Sequence, residues 1–362
     1  MAGLRTWLQE SSIDAYLQHG SSENADLFYT VGFTTSDAVE AATLGSGTVL
    51  FVSSMERSRA IKESTADEVK TGNFEDMKEM LKDEKVSKVA VPEEYPSGLL
   101  KELERSFDVE VRKSPLTEER MVKSEQEIEK IISAQKATEN AMKHAKSVIK
   151  DSDIEGDELV WKDEKLTSER LKQEIQKHLL EANCQNVMEP ITSSGSGSAD
   201  PHVLGSGPIK KDEPVVIDIF PRKEMYFGDM TRTFLKEDNE DIEEMHEAVK
   251  EAKRNGLDEI KAGVAASKVH RTVVRTLEEH GFETTESEGF IHSTGHGVGL
   301  DLHEGPRIAE DSEHELEAGE ILTIEPGLYY RDKGGVRIED MVLVTEDGYE
   351  NLNSMSEELK TS

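Results

Sequence analysis

The sequence predicts an α/β (α+β) chain: a small N-terminal α/β domain, then a larger domain of helices and paired strands. Three observations carry this. Short apolar runs alternate with helical patterns at the start of the chain, a long amphipathic helix opens at Ser124, and two later strand pairs hold acids inside apolar runs. Alternating strands and helices indicate α/β architecture.

In the first part, IDAYL (13–17), TVLFVS (48–53), SKVAVP (87–92) and FDVEVR (107–112) read as strands. Each is short and rich in β-branched or aromatic residues. Helical patterns over 56–64, 74–83 and 97–106 lie between them. No glycine-rich phosphate loop follows any of these strands, so nucleotide binding is not expected. The boundary falls within SPLTEERMVKSEQEIEK, giving domains 1–122 and 123–362.

Ser124 and Glu127 have the spacing of a capping box, in which each side chain satisfies the other's free backbone N–H. After them Ile128, Ile131, Ile132, Thr138, Ala141, Met142, Ala145, Val148 and Ile149 recur at helical spacing. The stretch from Ile154 to Asn183 predicts a second helix ending near Ala182, and 240–258 and 265–280 predict two more. PVVIDIF and MYFGDMTRTFL read as one strand pair, EILTIEPGLYY and GGVRIEDMVLVT as another. Each pair holds two acids, Asp218 and Asp229 in the first, Glu325 and Glu339 in the second. The likeness reads as a weak internal repeat; chance resemblance of short β segments is the alternative.

Composition bounds the function. Of 362 residues, 35% are hydrophobic and 33% charged, and 76 acids against 43 bases leave a net charge of -33. Disorder does not follow, because apolar segments recur along the whole chain. Such a surface repels itself unless salt screens it, so the composition reads as salt-adapted. The sign argues against direct nucleic-acid binding, which needs basic patches. The single cysteine, Cys184, excludes an internal disulfide and reads as a packing residue. The N-terminus lacks the long apolar run of a signal peptide or anchor, so a cytoplasmic protein with no membrane partner is expected.

Asp218, Glu325 and Glu339 each lie in an apolar strand, where an unpaired carboxylate is costly. Singly, each could cap a turn or pair with an arginine. Jointly, one buried cationic centre explains all three. In VRIEDMVLV, alternation places Arg337 and Glu339 on one face and Ile338 and Asp340 on the other. The segment FIHSTGHGVGLDLHEGP adds His292, His296 and His303, interleaved with glycines that allow close backbone approach.

GDMTRTF, STGHGVGLDLHEGP, TIEPGLY and VRIEDMVLVT, in this order and spacing, resemble the pita-bread-fold metallopeptidases, specifically the Xaa-Pro branch of prolidase and aminopeptidase P. NADLFYTVGF is similar to that branch's small creatinase-like N-terminal domain, so the resemblance spans nearly the whole chain. It implies a metal set of Asp218, Asp229, His296, Glu325 and Glu339, with Asp229 and Glu339 bridging two ions and Glu325 also shuttling a proton. It places His202 near the substrate, His292 in the proline pocket, His303 at the substrate carbonyl and Arg337 near the metals. One departure stands out: many members follow the first aspartate with Gly, whereas Ile219, Phe220 and Pro221 follow here. An oxygen-rich shell suits two Mn²⁺ ions, with Co²⁺ or Zn²⁺ as alternatives. The implied substrate is an Xaa-Pro dipeptide, or a longer Xaa-Pro peptide for an aminopeptidase, and the implied assembly is a homodimer or higher homo-oligomer. The same fold hosts a metal-free creatine amidinohydrolase and non-catalytic binding modules, which do not keep the five ligand positions.

Overall fold

The N-terminal apolar runs pair into a six-stranded sheet. In the computed structural model, which describes residues 2–285 and 287–361, the first unit ends at Arg120 and the second starts at Met121. The first contains α1 (Ala2–Ser11), β1 (Ala15–Gly20), α2 (Ala25–Val31), β2 (Val39–Leu44), β3 (Gly47–Val52), α3 (Arg57–Glu63), β4 (Glu68–Thr71), α4 (Phe74–Asp83), β5 (Lys88–Pro92), α5 (Ser97–Leu103), β6 (Asp108–Arg112) and α6 (Leu116–Glu119). The strand order is β4-β3-β2-β1-β5-β6. Strands β1, β2 and β3 run antiparallel; β3–β4, β1–β5 and β5–β6 are parallel. Alternation sends Ala15 and Leu17 to one face with Met77 and Leu81 of α4, while Ala41, Leu50 and Val52 pack with Leu27 and Val31 of α2 on the other.

Strands β2 and β4 had no signal in the sequence. The segment VEAATL is poor in strand formers, and it is fully buried because it pairs with β1 on one side and β3 on the other. Tertiary pairing overrides propensity there.

The second unit contains α7 (Glu125–Lys150), β7 (Asp153–Glu155), β8 (Glu158–Trp161), β9 (Glu164–Lys165), α8 (Ser168–Glu181), β10 (Ile191–Ser194), β11 (Val215–Ile219), β12 (Arg222–Lys223), β13 (Tyr226–Phe227), β14 (Met230–Phe234), α9 (Glu240–Asp258), α10 (Ala266–Glu279), β15 (Gly295–Gly297), β16 (Glu304–Ile308), β17 (Ile321–Ile324), β18 (Gly327–Tyr330), β19 (Gly334–Arg337), β20 (Asp340–Val344) and β21 (Tyr349–Asn351). The Ser124–Glu127 capping box forms at the start of α7. The predicted helix from Ile154 begins only at Ser168. Before it the chain makes the three-stranded meander β7-β8-β9, which turns through positive φ at Gly156, Lys162 and Asp163.

Two sheets carry the acids. One, β10-β11-β14, packs Ile217, Ile219 and Met230 against Met142 and Ala145 of α7 and Ile175 of α8. The other, β16-β15-β17-β20-β21, packs Leu322, Ile324 and Val342 against Leu257 of α9 and Val269 of α10. Fully burying each such side chain contributes about 1.5–3 kcal/mol, which fixes the sheets beneath the site. Both later strand readings are split. The run EILTIEPGLYY breaks into β17 and β18 at Glu325–Pro326, and GGVRIEDMVLVT into β19 and β20 at Ile338–Glu339. Strand β17 pairs with β20 and β18 with β19, so the two breaks face each other. Proline has no N–H for the ladder, which accounts for the interruption at Pro326.

Candidate metal centre

Each acid is held by its own local structure. Asp218 sits in β11 opposite Thr231 of β14. Asp229 precedes β14, and Gln135 of α7 clamps its backbone on both sides: Asp229 N–H donates to Gln135 Oε1 at 2.8 Å, and Gln135 Nε2 donates to Asp229 O at 2.7 Å. Glu325 sits at the strand break, its N–H donating to Thr294 O at 2.8 Å. Glu339 joins the two sheets: its N–H donates to Thr231 O at 3.0 Å and its Oε2 accepts from Thr231 Oγ1 at 2.7 Å. His296 lies in β15, where a Cβ at neighbouring Gly295 would overlap the Thr323 carbonyl. Only glycine allows that approach.

All nine residues singled out by sequence line one cavity of about 1100 Å³. Asp229, His296 and Glu339 each bring one ligating atom to within 4.8 Å of the other two. His296 Nε2 lies 3.7 Å from Asp229 Oδ2 and 3.3 Å from Glu325 Oε1. Asp218 is outside this threefold group and pairs with Arg337 Nη2 at 2.6 Å, while its Oδ1 is buried without a hydrogen-bond partner among the described residues. The His303 ring stands edge-on to His296, centroids 4.4 Å apart. His202 lines the cavity from an exposed position.

The electrostatics of this cluster call for a cation. Burial pushes Glu339 up to about 8, helped by the charges of Glu325 and Asp218. Burial and repulsion from Glu339, Asp218 and Glu325 push Asp229 well above the carboxylate range. Burial also raises Asp218, against the pull of Arg337. Burial opposes charge on His296, yet its hydrogen bond to Glu325 raises it to about 9. The same bond overcomes burial at Glu325 and holds it down at about 2. Four carboxylates thus face one guanidinium and one imidazole. An orphaned carboxylate oxygen and mutually repelling acids fit a site for divalent cations.

Several contributors escaped the sequence reading. The Tyr329 hydroxyl lies 3.0 Å from His292 Nε2 and accepts from Arg337 Nη1 at 2.9 Å. Thr323 Oγ1 accepts from His296 N–H at 3.0 Å and reaches Glu325 Oε1 at 3.3 Å. Thr231 was detectable, since it follows Asp229 at the i+2 spacing that shares a strand face. Gln135 was detectable as one of three polar residues, with Thr138 and Glu139, on the buried side of α7.

The chain matches the model of metallopeptidase family M24 over residues 129–346. The chain belongs to this family. Residues 1–131 match the creatinase/prolidase N-terminal domain. The chain is 30% identical to an Xaa-Pro dipeptidase of Pyrococcus horikoshii, over 98% of this chain and 96% of that one. It also resembles the solved prolidase from Pyrococcus horikoshii (TM-score 0.86, 28% identity, 99% of each chain covered). The solved X-Pro aminopeptidase from Thermotoga maritima is similarly close (TM-score 0.85, 27% identity, 96% of this chain and 97% of that one). No helix among the described residues is long and apolar enough to cross a membrane.

Proposed function

We propose that this M24 chain is an Xaa-Pro dipeptidase working with two divalent ions, Mn²⁺ ahead of Co²⁺ or Zn²⁺. The observation that carries the reading is the convergence of Asp218, Asp229, His296, Glu325 and Glu339 on one cavity beside His292 and Arg337, which the buried Tyr329 hydroxyl links. Those five residues would hold the ions, and Asp229, His296 and Glu339, whose ligating atoms lie within 4.8 Å of one another, would be central to the set. When bound, the ions lower the pKa of water and polarise a carbonyl, which supplies nucleophile and Lewis acid together.

The chain's own groups do the rest. Glu325, held as a carboxylate by His296, takes a proton from the attacking water and passes it to the leaving prolyl nitrogen. His303 donates to the substrate carbonyl oxygen as negative charge develops there. A prolyl amide has no N–H, so recognition falls on the ring. His292 lines the cavity and offers its ring to that proline, with Tyr329 packed behind it at 5.4 Å between ring centroids. Arg337 braces Asp218, and His202 approaches the substrate from the rim.

The curated relatives' name supports the dipeptidase reading. A second reading, an aminopeptidase acting on longer Xaa-Pro peptides, draws on the likeness to the solved X-Pro aminopeptidase from Thermotoga maritima. Incubation with Leu-Pro and with a longer Xaa-Pro peptide, in high salt with Mn²⁺, separates the two by mass spectrometry. Free leucine and proline, with the longer peptide untouched, is the expected result. Release of the N-terminal residue from the longer peptide selects the aminopeptidase. The proposal also takes the protein as a cytoplasmic homo-oligomer, which light scattering tests for assembly.

A further inference from the structure

His303 stands on the turn between β15 and β16, and that turn is pinned from outside the cavity. Its next residue, Glu304, turns inward, with a side chain only 8% exposed. The Glu304 carboxylate accepts the Asp301 N–H at 3.4 Å, and Gly299 N–H donates to Asp301 O at 3.0 Å. A Cβ at Gly299 would overlap that carboxylate, so the turn closes tightly around Glu304. The charge facing it is the ammonium of Lys123, 2.5 Å away on a side chain 1% exposed.

Lys123 is itself fixed. Its N–H donates to Gly319 O at 2.9 Å, and its neighbour Val122 bridges to Glu320. Met121 packs on Gly305, where a Cβ would collide with its methyl group. Residues 121–123 therefore lie along the far side of the turn that holds the His303 ring against His296. A buried pair is a poor stabiliser by itself, because desolvation offsets its attraction, but it fixes geometry.

We propose that Lys123 is a positioning residue: through Glu304 it fixes the 297–304 turn and hence the orientation of His303 in the cavity. The proposal rests on the Xaa-Pro peptidase reading for its kinetic consequence, but its geometric content stands apart from activity. Neither Lys123 nor Glu304 touches the substrate or the candidate metal ligands in this account.

The test compares wild type, Lys123→Met and Lys123→Met/Glu304→Gln, each with and without His303→Ala. The double change removes both charges, so it keeps the fold where the single change leaves a buried carboxylate without its ammonium. Expected is a fall in kcat of about 10- to 100-fold, the range seen when an orienting partner is lost, with KM and metal content within about twofold. In the His303→Ala background the same changes cost no further kcat. The His303 imidazole NMR resonances, assigned by difference from His303→Ala, shift or broaden in the Lys123 variants whether or not the protein turns over Xaa-Pro. Unmoved His303 resonances in a folded variant overturn the proposal, as does an equal loss of kcat in both backgrounds. Wild type inactive on every Xaa-Pro peptide refutes the peptidase reading instead, and the resonances still decide the positioning claim.

Discussion

Tyr329 joins His292 to Arg337, its hydroxyl 3.0 Å from His292 Nε2 and 2.9 Å from Arg337 Nη1. The partners order the protons. A guanidinium only donates, so Tyr329 accepts from Arg337 and donates to His292 Nε2. His292 Nδ1 faces the Ser293 carbonyl at 2.8 Å and must carry its proton there. Burial lowers His292, consistent with a neutral ring. Both nitrogens are thereby engaged within the protein. Tyr329→Phe should lower kcat/KM by about 10- to 100-fold with metal content retained. The ¹⁵N spectrum should show a protonated Nδ1 in wild type. Wild-type activity in Tyr329→Phe would remove the hydroxyl from the account.

Glu325→Gln keeps the shape of the side chain and removes its basicity. A fall in kcat of about 10²–10⁴-fold is expected, the usual worth of a positioned acid–base group, with the fold intact by circular dichroism. A loss smaller than tenfold would reassign the proton transfer.

His246 lies on α9 away from the site, 3% exposed, its Nε2 with no hydrogen-bond partner among the described residues. Burial lowers it to about 4 from 6.5. The unfolded chain therefore binds the extra proton between those values. The neutral ring's contribution is complete above pH 6.5 and is lost as pH falls through 4. The linkage is worth up to roughly 3 kcal/mol. His246→Leu should flatten the loss of stability between pH 6.5 and 4 in denaturant titrations. An unchanged slope would place the acid sensitivity elsewhere.

Salt dependence follows from the surface. Helix α9 alone exposes Glu240, Asp241, Glu244 and Glu247, and the chain carries a net charge of -33. The screening length lengthens from about 3 Å at 1 M to about 30 Å at 0.01 M, so repulsion spreads across the molecule as salt is removed. The melting temperature should fall steadily on dilution from molar KCl. A flat profile would identify an ordinary acidic protein.

Parts of the site were legible because burial makes acids conspicuous: Asp218, Glu325 and Glu339 stand out in apolar runs. The same signal cannot tell a ligand from an ion-pair partner. Asp340 is as buried as Glu339, yet it faces away, bonded to Arg232 at 2.6 Å and to Lys253. Alternation assigned the two acids to opposite faces but not their partners. Asp229 and His296 needed motif context, since neither interrupts an apolar run. The strand breaks at Glu325 and Glu339, the β7-β8-β9 meander and the role of Tyr329 depend on pairing between distant segments. A one-dimensional pattern does not contain those contacts.

The central claim is a two-ion site built by Asp218, Asp229, His296, Glu325 and Glu339. Metal analysis of the protein, chelated and then reloaded with Mn²⁺, tests it most directly, paired with Leu-Pro turnover. The account predicts about two ions per chain, the number a shared-carboxylate site holds, with activity lost on chelation and restored on reloading. His296→Ala or Asp229→Ala should bind fewer ions and stay inactive. Full activity in metal-free wild-type protein would contradict it.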